Sequence, residues 1–144
     1  MRQECKIFVH PLFWKDIKIL RKTYKKSFLD STYSDDEFEQ ADSAKKLKSI
    51  TYFDTINNYI NNNRLEDISE KIGRQPYLDK DWSIHKMRRG IDTTGKRGGV
   101  RLIFAINNIN LLYISVKIKK DVDGAEHGFE EECIKRFSEY IETI

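Results

Sequence analysis

With 144 residues, of which 39% are hydrophobic, 12% aromatic and 34% charged, the chain has the length of one domain with a real core and is too apolar for a disordered polyelectrolyte. Its longest apolar stretches, such as Leu102 to Ile106, are strand length and fall far short of the roughly 20 residues of a membrane helix. The net charge of +3 is modest, and the start from Met1 to Val9 meets charge and amide before a very short apolar run, so no secretory signal is read there and a cytoplasmic single domain over residues 1–144 is expected.

Residues 6–10, Lys-Ile-Phe-Val-His, are a short β-prone run, and Pro11 stands where a helix favours its first residue. Phe13, Ile17, Leu20 and Tyr24 then recur at steps of one helical face. Ser34 with Glu37 is a capping-box signature, with Asp35, Asp36 and Glu37 in the first turn. Near-helical spacing runs on from Phe38 to Ile60, with a break expected near Ser43 or Ser49, until Asn61, Asn62 and Asn63. Residues 65–72 read as two more helical turns that stop at Gly73.

After Pro76 the pattern changes to runs rich in Ile, Val, Phe and Tyr. Ile84 to Ile91, Val100 to Ile106 and Leu111 to Lys119 are strands, linked by the glycine-bearing turn 92–99 and by the turn 107–110, so an antiparallel meander is expected. In the last strand Leu112, Ile114, Val116 and Ile118 alternate with Tyr113, Ser115, Lys117 and Lys119, giving one apolar and one basic face. Phe129, Cys133, Phe137, Tyr140 and Ile144 mark a closing helix from about Glu130. The fold class is α+β: an N-terminal strand and helices, an antiparallel sheet of about four strands, and a C-terminal helix. Cys5 and Cys133 read as free thiols, and neither they nor His10, His85 and His127 show metal-ligand spacing, so no metal or other cofactor is expected.

Charge is unevenly spread. Residues 82–120 carry nine Lys and Arg against the single acid Asp92, whereas residues 121–144 carry eight acids against Lys135 and Arg136. A basic block inside a folded domain points to a polyanion such as a nucleic acid; the alternative is a basic face that pairs with the acidic tail.

Within the basic block, His85-Lys86-Met87-Arg88, then Gly95 to Phe104 with its Gly-Lys-Arg-Gly-Gly-Val-Arg turn, then Leu111 to Lys120 resemble the RelE/ParE toxins, in particular the HigB-like branch. The resemblance implies an endoribonuclease that cuts messenger RNA, often on the ribosome, without a metal ion, and that is neutralised by a small antitoxin; no membrane partner is implied. It makes Arg101, at the Gly-Gly-x-Arg position, the first candidate for the scissile phosphate, its side chain reaching off the sheet as an exposed charge. Lys86 and Arg88 alternate on one strand and share a face. Lys117 matches the family's lysine near the end of the following strand, and His127 lies in a glycine-flanked loop where related toxins place a proton donor. Arg89, Lys96, Arg97, Lys119 and Lys120 complete the RNA-binding set.

RNA cleavage needs a deprotonated 2′-hydroxyl, a stabilised phosphorane and a protonated leaving oxygen. Clustered lysines and arginines can supply these, with like-charge crowding drawing a lysine pKa down towards neutrality. His85 should face away from Lys86 as a structural histidine, and Tyr113 should cover the sheet. The competing readings are the same fold without nuclease activity, either a ParE-like gyrase inhibitor or a nucleic-acid-binding module, and an interaction protein whose basic face docks its own acidic tail.

Overall fold

Val100 to Ala105 are six consecutive buried positions, the pattern of a strand covered on both faces. In the computed structural model, which describes residues 6–28, 35–42, 45–46, 69–77, 82–89, 100–107, 110–118 and 126–143, this strand is the middle of a five-stranded sheet. The spatial order is β1 (Lys6–Val9), β5 (Asn110–Ile118), β4 (Val100–Asn107), β3 (Trp82–Arg89), β2 (Ser69–Tyr77). The described helices are α1 (Phe13–Phe28), α2 (Asp35–Gln40) and α3 (Glu126–Ile141).

The α+β class and the meander stand, and two features of the sheet depart from expectation. It has five strands instead of about four, and it is mixed, because β1 pairs parallel to β5 while β2 to β5 run antiparallel. The fifth strand is β2, over residues read as helix up to Gly73. Ser69, Glu70, Lys71 and Ile72 pair with Met87, Lys86, His85 and Ile84, and this ladder overrides a weak local helical preference. Gly73 and Pro76 fall where the register shifts between Ile72 and Tyr77 on this edge strand, a position that tolerates a missing N–H.

The helices also differ at their ends. α1 begins at Phe13, two residues after Pro11, and its entry is capped by His10: Nδ1 accepts the Leu12 N–H at 3.1 Å and the His10 carbonyl accepts the Phe13 N–H at 2.9 Å. The helix expected from Ser34 breaks at Ala41–Asp42, ahead of both serines. Asp42 starts a new turn, its Oδ1 accepting the Lys45 N–H at 2.8 Å and its carbonyl the Lys46 N–H at 2.9 Å, as an N-cap does. The continuation from 47 to 68 lies outside the described residues, as does the turn at 92–99. α3 starts at Glu126, four residues earlier than expected.

The clean alternation of the last strand conceals a bulge. Ile103 pairs with Ser115 but Phe104 pairs with Tyr113, which leaves Ile114 as an extra residue. Leu112 and Ile114 therefore both join the core that α3 covers with Phe129, Cys133 and Phe137, together with Ile84, Ile103 and Ala105. Beyond the bulge the parity reverses. Val116 and Ile118 lie beside Leu20 of α1, on the face where Tyr113, before the bulge, stacks on Phe13 with ring centroids 5.5 Å apart, and Lys117 comes opposite Arg101. Instead of one apolar and one basic face, β5 is buried on both.

At the bulge, where β1 no longer covers the edge of β5, a buried polar knot joins the two helices. The Ser115 hydroxyl donates to Asp16 Oδ2 at 2.6 Å, and Arg136 Nη1 donates to the same oxygen at 3.0 Å and to the Ile114 carbonyl at 3.1 Å. Breaking such a pair leaves an uncompensated buried charge. Arg136→Ala is expected to lower the unfolding free energy by about 3–5 kcal/mol, measured by denaturant titration; a loss below about 1 kcal/mol, the range of a surface pair, would remove the knot from the fold's supports.

Candidate functional site

β3 carries Lys86 and Arg88 two residues apart. Arg101 stands opposite Arg88 on β4, and Lys117 opposite Arg101 on β5, so the pairing registers place four of the five proposed catalytic residues on the face covered by α3. Like charges directly across strands are unfavourable, and the structure supplies counter-charges. Glu126 and Glu130, one helical turn apart, come from the start of α3, and Glu70 lies opposite Lys86 on β2.

Lys86 Nζ lies 3.1 Å from Glu126 Oε1, 3.2 Å from Glu130 Oε2 and 3.3 Å from Glu70 Oε1. The same Glu126 Oε1 is 3.6 Å from Arg88 Nη2 and 3.6 Å from Arg101 Nε. Three cations from two adjacent strands thus converge on one carboxylate oxygen. Lys86 is only 5% exposed and Arg101 6%, whereas the Arg88 side chain is 51% exposed and 3.8 Å from Glu70. Lys117 Nζ sits 5.9 Å from the centre of the Phe129 ring, within cation–π range.

Two expectations about these side chains are overturned. Arg101 does not stand off the sheet as an exposed charge: it is buried under the start of α3 and also donates from Nη1 to the Val100 carbonyl at 3.3 Å. Lys86 is not drawn towards neutrality. Burial pushes its pKa down, but hydrogen bonds and charge from Glu126 and Glu130 outweigh that and hold it above 10.5. In this arrangement the surrounding carboxylates favour Lys86 as an ammonium. Burial raises the Glu126 pKa, and the ion pair with Lys86 together with the charges of Arg88 and Arg101 reverses the effect, leaving it below 4.5.

His127 lies in the first turn of α3, not in a preceding loop. Its side chain is 87% exposed, with Nε2 3.0 Å from Glu131 Oε1, so it is held to its own helix and takes no part in the cluster. Arg89 ends β3 opposite Val100, while Lys96, Arg97, Lys119 and Lys120 lie outside the described residues. His85 is on the other face, stacked on Phe104 with centroids 5.6 Å apart, its Nδ1 3.2 Å from Ser69 Oγ and its Nε2 2.9 Å from Ser83 Oγ. That is a structural histidine satisfied at both nitrogens, and Tyr113 is core.

The residues missing from the sequence reading are Glu70, Glu126 and Glu130. An i, i+4 pair of acids within the acidic segment was a usable signal for the last two; Glu70 required residues 69–77 to be recognised as a strand. Comparison with protein-family models, with curated proteins and with solved structures gives no significant match for this chain, so the chemistry rests on this geometry.

The pH dependence follows with a definite sign. A carboxylate held below 4.5 contributes stability that is present above that pH and lost as pH falls through the lower folded value. The melting temperature is expected to drop more steeply below pH 4.5 for the unaltered chain than for Glu126→Gln; superimposable profiles would show that Glu126 gains nothing from the cations.

Proposed function

We propose that the chain is a RelE/ParE-type toxin of the HigB-like branch, a cytoplasmic endoribonuclease that cuts messenger RNA on the ribosome and is neutralised by a cognate antitoxin. The observation that carries this reading is the convergence of Lys86, Arg88 and Arg101 on the single oxygen Glu126 Oε1 within 3.1–3.6 Å. Cations so placed around a carboxylate oxygen suit a non-bridging phosphate oxygen equally well, and guanidinium groups grip such oxygens through paired donors.

RNA brings its own nucleophile. The deprotonated 2′-oxygen attacks phosphorus, the phosphorane gains negative charge, and the P–O5′ bond breaks as the 5′-oxygen takes a proton from water or from the carboxyl that accepted the 2′-hydroxyl proton, leaving a 2′,3′-cyclic phosphate. Arg101 and Arg88 are the groups for the phosphorane charge, which is greater in the transition state than in the ground state. Lys86 adds charge from the buried side. The positive charge is thus provided by side chains, in keeping with a metal-independent reaction. The proton acceptor for the 2′-hydroxyl comes from Glu130 or Glu70 beside Lys86, a role for which Lys86 itself is unsuited.

A second reading, the same fold as a nucleic-acid-binding module or ParE-like gyrase inhibitor, is favoured by one observation: Lys86 Nζ is enclosed by three carboxylates at 3.1–3.3 Å, which favour its ammonium form over a base. Incubation with single-stranded RNA, alone and in a translating extract, separates the two. The nuclease reading expects cyclic-phosphate ends; binding without new ends would favour the module. Arg101→Ala is expected to lose about 3 kcal/mol of transition-state stabilisation, on the order of a hundredfold in rate. Because Arg101 is buried beside Glu126, Arg101→Ala should also lower the melting temperature, whereas Arg101→Lys keeps the charge and most of the stability but loses the fork. Wild-type cleavage by both variants would remove Arg101 from the site.

A further inference from the structure

We infer that Glu126 is a built-in occupant of the phosphate position, and that the first turn of α3 is a latch, hinged at Gly128, which an RNA phosphate must displace. This rests on the phosphodiester reading of the site and adds its regulation. The three converging cations are matched in number by acids: Lys86, Arg88 and Arg101 face Glu70, Glu126 and Glu130. With Lys117 in register beside Arg101, the approach is positive, but a phosphate finds Lys86, Arg88 and Arg101 already occupied until a carboxylate leaves. Glu126 is the one carboxylate within 4 Å of all three cations among the described ion pairs, so its departure frees the most.

The architecture makes that departure local. Phe129, three residues on, is buried in the core with Cys133 and Phe137, so α3 is anchored from Phe129 onwards. Ahead of that anchor, Glu126 is 35% exposed at its side chain and is held by its ion pairs. Gly128 lies between the two. A Cβ added there would meet nothing within 4 Å, so packing does not require glycine. Its effect on the helix is to favour the unwound turn, by up to about fivefold relative to alanine. The exposed Arg88 offers a first contact at the solvent side of the cluster. Because Glu126 is tethered, it competes at high effective concentration, which screens out weak, singly bound anions and favours a chain of phosphates.

The test measures binding of a short single-stranded RNA by fluorescence anisotropy for the unaltered chain, Glu126→Gln, Gly128→Ala and Arg101→Ala, with a melting curve for each. Removing the competing carboxylate is expected to tighten binding about tenfold, the size of one charge-assisted contact. Gly128→Ala, which leaves every charge in place and stiffens the turn, is expected to weaken binding by up to about fivefold while raising the melting temperature. Equal or weaker binding by Glu126→Gln, with Arg101→Ala still impaired, would overturn the latch and leave the phosphodiester site standing. Failure of all four proteins to bind RNA would overturn the site and the latch together.

Discussion

Arg88, Arg101 and Lys117 lie in register across three adjacent strands, with Cβ atoms of such pairs only about 5 Å apart. A row of like charges on one sheet face, with Arg101 buried at its centre, calls for counter-charge, and the answer to it organises this end of the molecule. Carboxylates from α3 and β2 close over Lys86 and Arg101, Phe129 slides beneath Lys117, and α3 is thereby fixed at its start. Further along α3, Arg136 is fixed by Asp16 and the Ile114 carbonyl. The bulge at Ile114 links the two arrangements: it opens a backbone carbonyl to Arg136 and turns Lys117 on to the face of Arg101.

The main elements were legible because their signals are local. The stripe Phe13, Ile17, Leu20 shows a helix, and the apolar run Leu102 to Ile106 shows a strand, whatever lies around them. β2 was not legible, since Ser69 to Tyr77 contains helix formers followed by Gly73 and Pro76, and becomes a strand only through pairing with β3. The bulge was hidden for a similar reason: Leu112 to Ile118 alternates without a break, and only the register with β4 reveals that the alternation changes face.

The candidate site was legible in part on the same terms. Two-residue spacing puts Lys86 and Arg88 on one face, and two-residue spacing cannot report that Lys86 ends up 5% exposed among three carboxylates. Glu130 and Lys86 are 44 residues apart, beyond any periodicity. His127 was misplaced because Gly124 and Gly128 read as a loop, whereas acids in a first turn are favoured by the helix dipole and here also by the cations beneath. The buried lysine then behaves oppositely to crowded lysines in water: the carboxylates decide its protonation, and that shifts any proton-accepting role from Lys86 to its neighbours.

That Glu126 holds the place of a phosphate is tested most directly by carbon NMR of its side-chain carboxyl, followed through a pH titration with and without a short single-stranded RNA. Without RNA the carboxyl should titrate below 4.5; with saturating RNA, freed from Lys86, Arg88 and Arg101, it should return to the ordinary carboxylate range. An unchanged titration of Glu126 with RNA demonstrably bound would contradict the account.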